Sequence, residues 1–228
     1  MTFTTPSPSV RLRRGLRAAA LVAASFGAFT TAVAFDGGTV SAESAGLPVN
    51  ALAPEITNSA RAAVAALDAY AESGSVADEQ TLAWHRAATA RYTARQLGYD
   101  ELAMVHAWGS TGLSHQRAVL GALTQVGVPY RSNTSIENEG FDCSGLTTYA
   151  WKGAGLELTR QSGAQISQAE RLDREQAMAG DLVHYPGHVM LYLGVDDAIV
   201  HSVMSGRTVE VDTIRRGSVS FGDPTHTR

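Results

Sequence analysis

Hydrophobic and polar positions recur with two different periods along the chain, and the change of period divides it. Between residues 55 and 108 the spacing is helical. Ala60, Ala63, Val64, Leu67 and Tyr70 follow the capping candidates Thr57, Asn58 and Ser59. Ser73-Gly74-Ser75 breaks this helix, Asp78 is positioned to cap a second, and Leu82, His85, Thr89 and Tyr92 fall on one side of it. Gly98 stops the second helix, and Asp100 caps a shorter third one through Trp108. The pattern predicts a helical hairpin plus one helix. Its alanine-rich faces pack closely but supply little core, so the region is expected to lean on the C-terminal part of the chain. His85 and His106 read as helix-surface or interface residues.

Gly109-Ser110-Thr111-Gly112 marks a boundary. Beyond it Ser114 caps a helix with Val119, Leu120, Leu123 and Val126 on one face, ended by Gly127-Val128-Pro129. Residues 131–140 (RSNTSIENEG) form a polar loop, and a helix beginning near Cys143 offers Leu146, Ala150 and Trp151 for burial. A short polar helix or loop runs from Gly163 to Gly180. Then the period changes to two: Asp181 to Tyr185, His188 to Leu193, Ile199 to Val203 and Thr208 to Val211 read as strands. Helices followed by an antiparallel meander predict an α+β fold.

Composition alters this picture at one end. Arg11, Arg13, Arg14 and Arg17 precede the apolar run AAALVAASFGAF, and Ala32-Val33-Ala34 fits a small-x-small cleavage site. Residues 1–34 therefore read as a secretory signal peptide, and residues 35–54 as a small, polar linker. An uncleaved anchor is the alternative, disfavoured by Ser25 and Gly27 within the run. The pair Arg13-Arg14 leaves the general and the twin-arginine export routes both open. The segment holds four of the 18 basic residues and none of the 22 acidic ones, which leaves 14 against 22, a net charge of −8. An acidic exported chain is a poor nucleic-acid binder, because that role needs clustered Lys and Arg.

Export sharpens the meaning of the single cysteine, Cys143. Exported chains use cysteines in pairs, so a lone one is an intermolecular bridge, an inert buried thiol or a nucleophile. At a helix N-terminus, unpaired backbone N–H groups favour the thiolate. A base is also required. Strand alternation puts His188, Met190 and Tyr192 on one face and Ile199, His201 and Val203 on one face of the next strand. A hairpin between them would set His201 beside His188, with His188 as base and His201 fixing its tautomer. Taken singly, strand histidines are more often structural.

Residues 115–211 resemble the NlpC-type cysteine peptidases of bacterial cell walls, a circularly rearranged papain-like fold. The matching pieces are VPY at 128–130, FDCSGL at 141–146, LTRQSGAQ at 158–165, AGDLV at 179–183, HVMLYLG at 188–194 and IVHS at 199–202. The resemblance implies Cys143 as nucleophile, His188 as general base and His201 as orienting residue. The Cys143 backbone N–H and the Tyr130 hydroxyl would stabilise the oxyanion, and Asp142, Ser144, Arg160 and Ser162 would line the substrate groove. It further implies a papain-like catalytic domain at residues 111–228; the helical region at 55–110, with little core of its own, reads as a cap, regulatory segment or spacer. The expected activity is a monomeric, secreted endopeptidase acting on peptidoglycan stem peptides, commonly between D-glutamate and a diamino acid, with no metal or organic cofactor. A non-catalytic wall-peptide binding module, and an amidase or acyltransferase with the same triad, are the alternatives. Three departures stand out. The loop after Tyr130 lacks the family's aromatic residue and paired glycines, His184 replaces an aromatic residue, and Pro186-Gly187 is a short turn that leaves the site open.

Overall fold

The computed structural model describes residues 47–227. The expected signal peptide and the first part of the expected linker lie outside the described residues. The helical elements are α1 (Ala53–Ser73), α2 (Val76–Leu97), α3 (Glu101–Gly109), α4 (Leu113–Leu123), α5 (Cys143–Gly153) and α6 (Ser162–Gln168). The strands are β1 (Ser135–Ile136), β2 (Gly140–Phe141), β3 (Ala169–Leu172), β4 (Leu182–Tyr185), β5 (His188–Tyr192), β6 (Ala198–Ser202), β7 (Val209–Thr213) and β8 (Ser220–Thr227). Strands β1 and β2 make a small antiparallel pair; the other six form one sheet in the order β3-β8-β4-β5-β6-β7. Every neighbouring pair within that sheet is antiparallel. The fold is α+β, as the pattern predicts.

Three helix starts differ from expectation for identifiable reasons. Helix α1 begins at Ala53, ahead of Thr57–Ser59, with a proline in its first turn. Proline fits there because its missing N–H has no intrahelical partner to lose. The stretch before it is not free linker. Asn50 Nδ2 donates to Thr208 Oγ1 at 2.9 Å, and the Leu52 N–H donates to Gln96 Oε1 at 2.8 Å. The cap of α2 is Ser75, whose Oγ accepts from the Asp78 N–H at 3.1 Å, so Asp78 sits within the first turn. Helix α4 is preceded by Gly112 rather than capped by Ser114.

The sheet is buried on both faces. Leu182, Val189, Leu191, Val200 and Val211 join a core that includes Ile56, Leu67, Leu82, Trp108, Leu120, Leu146 and Trp151 from the helices. On the other face Val183, Met190, Tyr192, Ile199 and Phe221 pack together. The helical region shares the main core: α1 lies on α4, and Trp108 Nε1 donates to the Leu193 carbonyl at 2.8 Å. Trp108 is buried completely enough that this tie counts as both packing and a satisfied indole N–H.

Candidate active site

The first turn of α5 is built around Asp142. Its Oδ1 accepts the Gly145 N–H at 2.6 Å, an N-cap that fixes where the helix starts. Cys143 is therefore the first helical residue, partly buried and unpaired. Backbone from the 131–140 loop closes over this turn, with the Asp142 N–H donating to the Thr134 carbonyl at 3.1 Å. A Cβ on Gly145 would stand 2.1 Å from that same oxygen, so only glycine fits. Arg160 reaches in from the α5–α6 connection and donates to Asp142 Oδ2 and to Ser144 Oγ, each at 2.9 Å. Three of the four residues expected in the groove thus bond to one another, and Arg160 is not a free surface arginine. The fourth, Ser162, is the first residue of α6.

His188 and His201 come together. His188 opens β5, and the register Tyr192↔Ile199 places the His188 and His201 faces on the same side of the β5–β6 hairpin. His188 Nε2 lies 2.9 Å from His201 Nδ1, with both rings buried. Tyr185 stacks on His188 at 5.1 Å between centroids, and Arg216 lies over the Tyr185 ring at 4.4 Å. The turn between Tyr185 and His188 is Pro186-Gly187, with Gly187 at φ 87°, which favours glycine. Burial, reinforced by the charges of His201, His184 and Arg216, pushes the His188 imidazole down to about 4. It is therefore neutral at neutral pH and free to accept a proton.

The two halves of the site are joined through backbone. Helix α5 packs on β5 and β6. Ser202 Oγ, next to His201, donates to the Phe141 carbonyl, two residues before Cys143, at 2.6 Å. The Tyr130 phenol is raised by burial and by the nearby negative charges of Cys143 and Asp142, so it stays protonated and able to donate. His184 is lowered by burial, and its Nε2 is buried without a hydrogen-bond partner.

Three residues that shape the site escape a reading of the sequence. Ser202 gives no signal apart from following His201. Gln165 belongs to the LTRQSGAQ segment, yet it acts as a latch: its Nε2 contacts the Ser144 and Thr159 carbonyls at 3.1 and 2.7 Å. Asp212 lies just past the predicted end of its strand at Val211, whereas β7 continues to Thr213. Its Oδ2 stands 3.7 Å from His201 Nε2.

Among the described residues one group has ligand types spaced for a cation: His115, Asp181 and Asp223, all buried. His115 Nε2 is 3.1 Å from Asp181 Oδ1 and 3.5 Å from Asp223 Oδ1. The acids already accept backbone N–H bonds from Met178 and Thr225. The cluster is accounted for as an internal tie between α4, the start of β4 and β8.

An α+β domain with a cysteine opening a helix and paired histidines on adjacent strands is the layout of an NlpC-type domain. The NlpC/P60 family model matches residues 127–220, so this segment is an NlpC/P60 domain. It is 32% identical over 133 residues to the peptidoglycan endopeptidase RipB of Mycobacterium tuberculosis, covering 57% of this chain and 49% of the relative. It is 38% identical over 80 residues to a gamma-D-glutamyl-L-lysine dipeptidyl-peptidase of Bacillus cereus, covering 32% of this chain and 24% of the relative. Among solved structures it is similar to RipD of Mycobacterium tuberculosis, a non-catalytic NlpC/p60 domain protein adapted to peptidoglycan binding. The identity is 30%, the coverage 49% of this chain and 98% of that one, and the TM-score 0.42. The chain spans about half the length of the RipB relative.

Proposed function

We propose that this protein is a cysteine endopeptidase of peptidoglycan. Its substrate is the stem peptide, cut between D-glutamate and a diamino acid, outside the cytoplasm after removal of residues 1–34. The observation that carries the proposal is the buried His188–His201 pair, 2.9 Å apart, on the strands against which the Cys143 helix packs. The similarity to enzymes named as peptidoglycan endopeptidases supports the substrate class.

In this mechanism neutral His188 takes the Cys143 proton and the thiolate sulfur attacks the scissile carbonyl. The Cys143 N–H and the protonated Tyr130 hydroxyl stabilise the oxyanion. The imidazolium then returns the proton to the leaving amine, which departs and leaves a thioester. Water, deprotonated by His188, releases the acid and regenerates the thiol. Asp142 and Arg160 hold the first turn of α5 in place, and the partly exposed Arg160 side chain is the candidate partner for a substrate carboxylate.

The test is digestion of purified sacculi with the native protein and with Cys143→Ala, with products read by mass spectrometry. Stem-peptide fragments from the native protein alone support the proposal, and their masses name the bond. Fragments from both, or from neither, overturn it.

A further inference from the structure

The strand pair that holds His201 also holds an acid outside the three-residue site. The register Ile199↔Asp212 and His201↔Glu210 puts His201, Glu210 and Asp212 on one face of β6 and β7. Glu210, directly opposite His201, is engaged by Arg207 through both carboxylate oxygens. Asp212, on the diagonal, is held at one oxygen only. The Thr213 N–H and Arg215 both donate to Oδ1, at 2.8 and 2.9 Å. Oδ2 faces His201 Nε2 across 3.7 Å. That nitrogen is buried and has no hydrogen-bond partner, so the Asp212 carboxylate is its electrostatic neighbour at ion-pair range.

We propose that Asp212 is a positioning residue that completes a relay Cys143–His188–His201–Asp212 and selects the tautomers of both imidazoles. This rests on Cys143 and His188 being nucleophile and base. One proton bridges His188 Nε2 and His201 Nδ1, and two neutral rings can share it in two ways. If His188 carries it, His188 Nδ1 is bare and can accept the thiol proton. If His201 carries it, the His188 proton sits on Nδ1 and the base is blocked. A carboxylate opposite His201 Nε2 demands an N–H there, which leaves His201 Nδ1 as acceptor and returns the bridging proton to His188. The other charged or titratable neighbours do not make this selection. Arg216 and His184 act on His188 as like charges, Tyr185 stacks on it, and Arg215 is paired with Asp212.

The test begins with the native protein. Two-bond ¹H–¹⁵N correlation at neutral pH, assigned with His188→Gln and His201→Gln, should show both rings with the proton on Nε2. Asp212→Asn reverses the demand: its oxygen stays with Thr213 and Arg215, and its amide N–H₂ meets His201 Nε2. The expected result is His201 protonated on Nδ1, slower alkylation of Cys143 by iodoacetamide at pH 7, and kcat reduced about 10- to 100-fold at unchanged KM. Asp212→Glu, which keeps the anion, should recover part of the loss. An Nδ1–H tautomer of His201 in the native protein overturns the proposal. So does an Asp212→Asn protein with native tautomers and a native alkylation profile. Should that variant fail to fold, the native tautomers decide. Tautomer and alkylation readouts need no substrate, so failure on sacculi counts against the wall-peptidase function alone.

Discussion

Ser202 donates its hydroxyl proton to the carbonyl of Phe141 across 2.6 Å, which ties the strand of His201 to the residue pair leading into Cys143. Ser202 is fully buried, so the bond has no water to replace it. Ser202→Ala removes this bond but leaves the carbonyl with the Arg131 N–H at 3.0 Å, so it should cost about 0.5–1.5 kcal/mol. Urea unfolding measures that cost. Active-site titration with a thiol reagent should show kcat per folded site falling as well, because the tie sets the spacing of the two halves. A stability loss with unchanged kcat would reduce Ser202 to packing.

In the proposed mechanism His188 sets the pH dependence. There it works as a neutral base, and burial holds its folded pKa near 4, below the ordinary 6.5. Activity should therefore persist into mildly acidic conditions and fall as pH drops through about 4. Stability has the same sign: the unfolded chain binds the proton first, so stability declines from about pH 6.5 toward 4 and is level below that. A kcat/KM profile with its acidic limb at 6.5 or higher would contradict this. The urea midpoint, followed over the same range, checks the stability half.

Gly145→Ala should be among the most damaging single substitutions. The new Cβ would meet the Thr134 carbonyl at 2.1 Å, and that carbonyl is already bonded to the Asp142 N–H. Relief requires the loop to lift off the first turn of α5. Thermal unfolding should show a loss in the range of about 1–3 kcal/mol typical of overpacking, or more. A near-native melting temperature would mean the loop yields easily.

Arg160→Ala separates holding from binding. The pair with Asp142 has a guanidinium side chain 41% exposed, so its stability contribution is small, about 0–1 kcal/mol. The melting temperature should barely move, while KM for wall peptides rises. An unchanged KM would confine Arg160 to steadying Asp142 and Ser144.

Removing residues 47–108 should do more than uncover a groove. Ile56, Leu67, Leu82 and Trp108 belong to the same core as the sheet. Each large apolar side chain contributes about 1.5–3 kcal/mol by burial, and a domain's net stability is only about 5–15 kcal/mol. The truncated chain is expected to be insoluble or to melt without a cooperative transition, as calorimetry would show. A soluble, cooperatively folding, active truncation would make the helices a dispensable appendage.

Much of this is legible in the residues. Apolar spacing at Ala60, Ala63 and Leu67 gives α1, and the two-residue period at His188–Tyr192 gives β5 and the face His188 occupies. The features that escape have physical causes. Strand β3 (AERL) and strand β8 (SFGDPTHT) carry no clean alternation, because β8 draws its stability from neighbours on both sides rather than from a pattern of its own. The start of α1 is hidden because its cap makes no side-chain hydrogen bond. Asp212 falls beyond a predicted strand boundary that is short by two residues, and boundaries depend on partners that sequence spacing does not reveal. The bond between Arg160, Asp142 and Ser144 joins segments 16 to 18 residues apart, a contact that no local period encodes.

The position of β8 has a consequence in time. The last strand described is an interior one, inserted between β3 and β4, and β4 is the neighbour of the strand that bears His188. A chain that emerges N-terminus first presents its thiol and both imidazoles before the strand that closes the sheet exists. The nascent molecule carries every reactive group but lacks the finished scaffold. On the proposed function, catalytic competence therefore waits for β8 to emerge and close the sheet.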